Sequence, residues 1–538
     1  MGTSEKYSLL ELPHTCYGVQ ASLETMEKSS RLGPEGLIKR VEFVRLIIQS
    51  LYSLGYKKTA ALLESESGVS YVTPEFLQLR SQIINAKWDD CIQTLNKIED
   101  FVEEAHASAS FLIFRQLFID LLKSGDITSA VSVLRKHISP LPVGREKVHK
   151  LACDVISLKE MDCISELRRN LLQELEGLLP PPIRVPVRRL EHLVEMAVSF
   201  QKDNCIYHNS SVISLYKDHC CGPEELPTET VQILDQHENE VWFVQFSNNG
   251  RYLASSSSDC TSIIWMVSNE DKISHKHTLR GHQSPVSFVT WSPDDAMLLT
   301  CGNGEVLKLW DVESGICQQT FGSQSTIVSS CAWLPDSKRV VCGISDPDRC
   351  IYIWDLKGRV LEAWKGGRMP KVSDLSVTPD GEHLISICSE KEIRILNFRT
   401  KSEHVITEEN SITSLSISRD SQFFIVSLNS QEIHLWNVKG TQAEPLKYAG
   451  HNQGNSVVRS CFGGTNCGFV VSGSENSQIY IWHRESCKLL EVLQGHSMTV
   501  NCVSWNPTKP HLLASASDDH TIRIWASSSG KQNKVCFW

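Results

Sequence analysis

The sequence predicts two unlike halves, an N-terminal all-α part and a C-terminal all-β ring of seven blades, and three observations predict it. Apolar residues recur with a period near 3.6 from Arg40 to about Phe200, with few strand signals. From Thr230 onward, short β-branched and aromatic runs alternate with Gly, Asn, Asp and Ser turns. Finally, Trp265, Trp310, Trp354, Leu396, Trp436, Trp482 and Trp525 each end an apolar strand, at successive spacings of 45, 44, 42, 40, 46 and 43 residues.

Composition narrows the function classes. The 538 residues leave room for roughly two to four domains. With 53 Lys+Arg against 63 Asp+Glu and a net charge of -10, the chain lacks the cationic footprint of a nucleic-acid or anionic-lipid binder. The 19 cysteines are diluted along it, and Met1 to Leu12 show no charged segment leading into an apolar core. Free thiols in a reducing compartment are expected, with a cytoplasmic location and the nucleus as a second. The most apolar helical stretch, Ala109 to Leu122, is interrupted by Arg115, Gln116 and Asp120, so no membrane span is expected.

Residues 1–35 read as a disordered polar head. Val44, Ile47, Ile48, Leu51 and Leu54 then fall on one helical face, Gly55 suits the C-terminal cap, and Thr59 to Glu66 gives a short second helix ending before Gly68. About thirty residues cannot bury a sufficient core, so this hairpin needs a second copy or the helices that follow. Next, Thr73-Pro74-Glu75 supplies an N-cap hydroxyl, Pro at the first helical position and an acid at the positive end of the dipole. Phe76, Leu79, Ile83 and Ile84 stripe that helix. Lys87 to Ile92 opens another, Phe111, Phe114, Leu117, Phe118, Leu121 and Leu122 stripe a third, and Gly125-Asp126 ends it and caps a fourth, Ile127 to His137.

The segment Leu51 to Ala60 with Glu64 to Gly68 resembles the LisH dimerisation motif, assigned to residues 38–70. The resemblance implies self-association through Ile47, Leu51, Leu54 and Tyr56. Residues 73–138 resemble the CTLH domain, and 139–222 read as a CRA-like helical extension and linker, with Gly222 to Pro227 as the joint between the halves.

In the β half, Val241 to Phe246, Tyr252 to Ser256, Ser262 to Trp265 and a strand around Lys276 to Leu279 make one unit. Such a unit cannot cover its own faces, so seven must stack and close into a propeller over residues 228–538. Thr230 to Leu234 is expected to supply the outer strand of the last blade. Gly281-His282, Gly450-His451 and Gly495-His496, with Trp310-Asp311 and Trp354-Asp355, make the resemblance to the WD-repeat family specific. That resemblance implies a buried structural network at His237, Asp259 and Trp265 in the first blade and at His496, Asp519 and Trp525 in the last. A repeating His and Asp satisfy buried polar groups, whereas a catalytic set would be unique. The third to fifth blades lack the Gly-His, the fourth ends in Leu396-Asn397, and Gly304 stands where a turn Asp is expected, so that sector is expected to be less rigid.

Aligning the inner strands on Val241, Val286, Val328, Val372, Ile412, Val458 and Val500 puts Trp242, Ser287, Ser329, Ser373, Thr413, Arg459 and Asn501 at equivalent positions. Trp242 and Arg459 stand out from this otherwise bland set. They are either a partner-binding hot spot or packing in the channel wall.

The order LisH, CTLH, helical extension and one propeller resembles the family of WD repeat-containing protein 26, in a plant homologue. The resemblance implies a non-catalytic scaffold and substrate-recruiting subunit of a CTLH (glucose-induced degradation deficient) E3 ubiquitin ligase. Its partners would be Ran-binding-protein-M-like scaffolds and RING subunits, with no nucleic acid, membrane or small-molecule substrate. The chain has no Cys-x-x-Cys pair for a RING of its own, and no phosphate loop, His-Glu-x-x-His or Gly-x-Ser-x-Gly motif, so an enzyme is not expected. Cys205, His208, His219, Cys220 and Cys221 offer soft ligands. Adjacent Cys220-Cys221 makes poor geometry for one tetrahedral site and the spacing fits no common finger, so they read as an ordinary loop with buried thiols, without metal or other cofactor. Three binding-class alternatives stay open. A TOPLESS-like co-repressor would need a longer chain with two propellers, and a lissencephaly-type adaptor would need a coiled coil. A cullin-ligase receptor has only the partial box Trp354-Asp355-Leu356-Lys357 in its favour.

Overall fold

The computed structural model describes residues 31–528 except 100, 143–145, 147, 150, 152–163, 182, 211–212, 303–305, 322–327, 347–348, 365–371, 389, 442 and 455. The chain divides into two compact units, Met1–Ala197 and Val198–Trp538.

The first unit begins with a two-residue strand pair, Arg31–Leu32 against Ile38–Lys39. Gly33 and Gly36 turn it at φ of 87° and 64°, a region open to glycine at no steric cost. Residues 31–35 therefore belong to a hairpin and not to the head expected over 1–35, whose first thirty residues lie outside the described ones. The helices α1 (Arg40–Ser53) and α2 (Lys57–Ser67) form the expected helical hairpin, with Ile48 and Ala60 fully buried.

The third helix, α3 (Pro74–Ile84), starts as its sequence predicts, with Thr73 Oγ1 accepting from Phe76 N at 3.4 Å. It is followed by α4 (Trp88–Asn96), α5 (Glu103–Ser124), α6 (Ile127–Val133), a π turn at Leu134–Ile138, and α7 (Ile164–Glu176). Phe76, Leu79, Trp88 and Leu95 meet Ile113 of α5 and Leu171 of α7 in one core. Phe111, Phe118 and Leu122, on another side of α5, pack with Ala130 and Ile138. The last helix of the half, α8, spans Arg189–Asp203.

By length and composition α5 could cross a membrane, contrary to the expectation from its interrupted apolar run. In the fold it is the central helix of the bundle, and the interrupting residues are its ties. Arg168 of α7 donates to Asp120 Oδ2 at 2.8 Å and to Ile84 O at 2.9 Å, and lies 5.6 Å from the Trp88 ring centroid. Arg115 reaches Glu174 Oε2 at 2.9 Å.

The second unit holds seven four-stranded antiparallel sheets. The first blade is Val241–Phe246, Tyr252–Ser257, Thr261–Val267 and Ile273–Arg280. The seventh takes its outer strand from Glu229–Leu234, paired from Glu229 opposite Ala526 to Leu234 opposite Ile522. The ring is thus latched as the sequence predicts, leaving no free sheet edge between first and last blades. The polypeptide leading into the latch also rests on the ring. Leu226 is fully buried against Phe469, Trp505 and Leu513, and Asn209 Nδ2 donates to Pro510 O at 2.7 Å. The joint expected at Gly222 to Pro227, and the end of the 139–222 extension, consequently lie inside the propeller's unit.

Candidate functional site

The propeller network has the geometry of a brace. In the first blade His237 Nδ1 lies 2.8 Å from Asp259 Oδ2, and its Nε2 lies 2.9 Å from Ser255 Oγ. That hydroxyl also accepts from Trp265 Nε1 at 2.9 Å. The last blade repeats it: His496 to Asp519 at 2.8 Å, His496 to Ser515 at 2.7 Å, and Trp525 Nε1 to Ser515 at 2.8 Å. Burial pushes both carboxyls up, but hydrogen bonds from the His and from Thr261 or Thr521 prevail and hold Asp259 and Asp519 far below the ordinary carboxylate range. Ser255 and Ser515 are fully buried, so neither hydroxyl can reach a substrate. The arrangement ties the entry loop, middle strands and turn of each blade together.

Other blades vary the scheme. In the second, His282 Nε2 and Trp310 Nε1 both bond Thr300 Oγ1, at 2.7 and 2.8 Å, while Gly304 lies outside the described residues. The fifth replaces the His by an acid. Glu408, 28 residues before Trp436, accepts from its Nε1 at 2.7 Å and bonds His434 Nδ1 at 2.9 Å. Glu408 carries no Gly-His signature, so only its distance of 28 residues before Trp436 marks it in the sequence. In the sixth, Trp482 Nε1 donates to Ala449 O at 3.1 Å instead.

The ring of aligned positions is a ring of β-bulges. Register shifts occur between Val241 and Phe243, Val286 and Phe288, Val328 and Ser330, Val372 and Asp374, Ile412 and Ser414, and Val500 and Cys502. In these six blades the aligned residue is the extra one, while Arg459 of the sixth precedes the strand Cys461–Gly463 and makes an isolated bridge to Cys502. Their small polar side chains satisfy carbonyls, some on the next blade: Ser329 Oγ donates to Val372 O at 2.6 Å and Asn501 Nδ2 to Val241 O at 3.0 Å. Arg459 spans the channel. It bonds the buried Asp374 at 3.0 Å, and its guanidinium carbon lies 5.4 and 5.3 Å from the Phe243 and Phe288 centroids. These four residues line a cavity of about 1110 Å³ along the inner strands. Trp242 is outside that lining, half-buried, with Nε1 donating to Glu240 Oε2 at 3.1 Å. The two outliers therefore occupy separate places, and the Arg459 charge is already matched.

On the helical hairpin the four expected contact residues divide. Ile47 and Leu51 are half-buried, whereas Leu54 and Tyr56 are 65% and 61% exposed. Leu62 and Val41 are exposed as well, an apolar surface beyond what one hairpin can hide.

Comparison with known proteins fits these features. Residues 29–72 match the WDR26 Lis-homology domain, and residues 228–266, 273–311, 315–355, 444–483 and 487–526 match the WD domain, G-beta repeat. A WD repeat-containing protein 26 homolog of Arabidopsis thaliana is 45% identical, over 92% of this chain and 85% of its own length. The chain belongs to the WD repeat-containing protein 26 family. A WD repeat-containing protein WDS homolog of Arabidopsis thaliana is 57% identical over 94% of the chain and 98% of that protein. GID complex subunit 7 of Schizosaccharomyces pombe is 32% identical over 92% and 99%. The fourth and fifth blades have no repeat match among these; both lack the Gly-His, and the fourth closes on Leu396-Asn397.

One cluster in this WD repeat-containing protein 26 family member departs from expectation. Cys205, His219 and Cys221 bring their ligand atoms within 4.8 Å of one another, while Cys220 is exposed. The adjacent pair that argued against convergence faces two ways, and only Cys221 turns inward.

Proposed function

We propose that the chain is a non-catalytic subunit of a GID/CTLH-type ubiquitin ligase complex. The observation that carries this reading is full-length similarity to GID complex subunit 7 together with the Lis-homology match. The exposed Leu54, Tyr56 and Leu62 of the hairpin provide the self-association surface. The CTLH-like helices α3 to α6 join scaffold subunits of the Ran-binding-protein-M type, RING subunits elsewhere transfer ubiquitin, and the propeller recruits substrates or further subunits. Trp242 is the propeller residue first in line for a partner contact, because its indole is half-buried and outside the channel.

The test is affinity purification of the full chain, wild type beside Leu54→Asp/Tyr56→Asp, with mass spectrometry of companions. The reading expects RING and scaffold proteins with the wild type and their depletion from the variant. Histone deacetylase or dynein partners in their place would overturn it.

A further inference from the structure

Where helix α8 ends, two short motifs face each other. The first, Cys205-x-x-His208, is a tight turn in which His208 N donates to Cys205 O at 3.0 Å. The second, His219-x-Cys221, puts both side chains on one side, with Cys221 Sγ 3.2 Å from His219 Nε2 and the intervening Cys220 exposed. His208 Nδ1 lies 2.7 Å from the same His219 Nε2. Cys205 Sγ accepts from Cys221 N at 3.2 Å and shares the 4.8 Å neighbourhood of Cys221 Sγ and His219. All four residues belong to the propeller's unit.

We propose that Cys205, His208, His219 and Cys221 form a tetrahedral site for one zinc ion. Zinc takes thiolate sulfur at about 2.3 Å and imidazole nitrogen at about 2.0–2.1 Å, which sets tetrahedral ligand atoms about 3.3–3.8 Å apart. Cys221 and His219 are already near that spacing. His208 touches His219 but lies outside the 4.8 Å neighbourhood that the other three share, so its ring must turn from His219 toward the sulfurs to complete the set. At 2.7 Å two ring nitrogens cannot both present lone pairs to each other, so a proton or a cation must lie between them. His208 Nε2 is buried and unbonded. Zinc binding releases the two thiol protons and leaves a neutral Zn(S)₂(N)₂ centre, so affinity falls as pH is lowered.

The ligand set is closed, with four protein donors and no open position, so the ion is structural. It would fasten the segment that carries Tyr207 and Asn209. Tyr207 packs on the core of Phe469 and Trp505, and Asn209 bonds Glu225 O, Pro510 O and Thr465 N. The clip thus holds the approach to the latch strand against the sixth and seventh blades.

The experiment is metal analysis of the full chain purified without chelator, followed by cobalt exchange and absorption spectroscopy. Wild type and Cys220→Ser are expected to hold about one zinc per chain. Cobalt should then show the intense visible bands of a tetrahedral site with thiolate-to-cobalt charge transfer. Cys221→Ser and His219→Gln should each lose the ion, and the charge transfer with it. Absence of zinc and of the cobalt spectrum in the folded wild-type chain overturns the proposal, whatever the variants do. So does a Cys205–Cys221 disulfide found by thiol counting, or a Cys221→Ser chain that keeps its zinc.

Discussion

At the scale of single residues, the polar groups held inside the blades set how stability depends on pH. Asp259 and Asp519 are held ionised by their His and Thr partners. A depressed carboxyl stabilises the fold above its unfolded value, near 3.9, and loses that contribution as pH falls toward its folded value. Propeller stability is therefore expected to drop as pH is lowered below about 4, and Asp519→Asn, which removes the titrating charge, should flatten that dependence. Urea titrations at several pH values measure both. Arg459 presents a different case. Removing it as Arg459→Leu leaves Asp374, 4% exposed, without its cation, and should cost on the order of 1–3 kcal/mol in urea unfolding of the full chain. Trp242→Ala should leave stability within about 1 kcal/mol while weakening partner capture. The sequence shows that these two positions are unlike their neighbours, but only Trp242 sits at a bulge. Whether their side chains point into the channel depends on bulges and on residues 85 positions away, such as Asp374, which periodicity does not encode.

At the scale of elements, caps and latch were legible because they rest on local chemistry. Thr73-Pro74-Glu75, Gly68 and Gly125 end or start helices where their residue types require it, Gly68 and Gly125 at φ of 68° and 86°. Glu229–Leu234 was legible as an orphan strand that only the last blade could accept. The helical hairpin was legible as unable to bury its own apolar face, and Leu54→Asp/Tyr56→Asp should reduce self-association at least tenfold in sedimentation experiments without unfolding α1 or α2. The segment before the latch was not legible. Turn residues at Gly222 to Pro227 suggest a joint between the halves, but Leu226 within it seals a hydrophobic contact. Leu226→Ala is expected to cost about 2–4 kcal/mol in the propeller's unfolding, read by urea titration of tryptophan fluorescence.

At the scale of the whole molecule, the repeat spacing alone carried the seven-bladed ring, since a four-stranded unit recurring seven times has few other ways to cover its faces. The helical half was recovered as a set of amphipathic helices. How they share cores was not, because α5 buries residues on more than one side and is tied by Arg168 and Arg115 across long sequence separations. Function followed from architecture and relatives rather than from any cleft, and the central claim is that this chain belongs to a ligase without being its catalyst. The most direct measurement is ubiquitin chain formation, with activating and conjugating enzymes supplied, by the complex isolated through the tagged full-length chain and by the purified chain alone. The account predicts chain formation by the complex, lost when its RING subunits are stripped away, and none by the chain alone. Transfer by the chain alone, or a stably associated complex with no transfer activity, would contradict it.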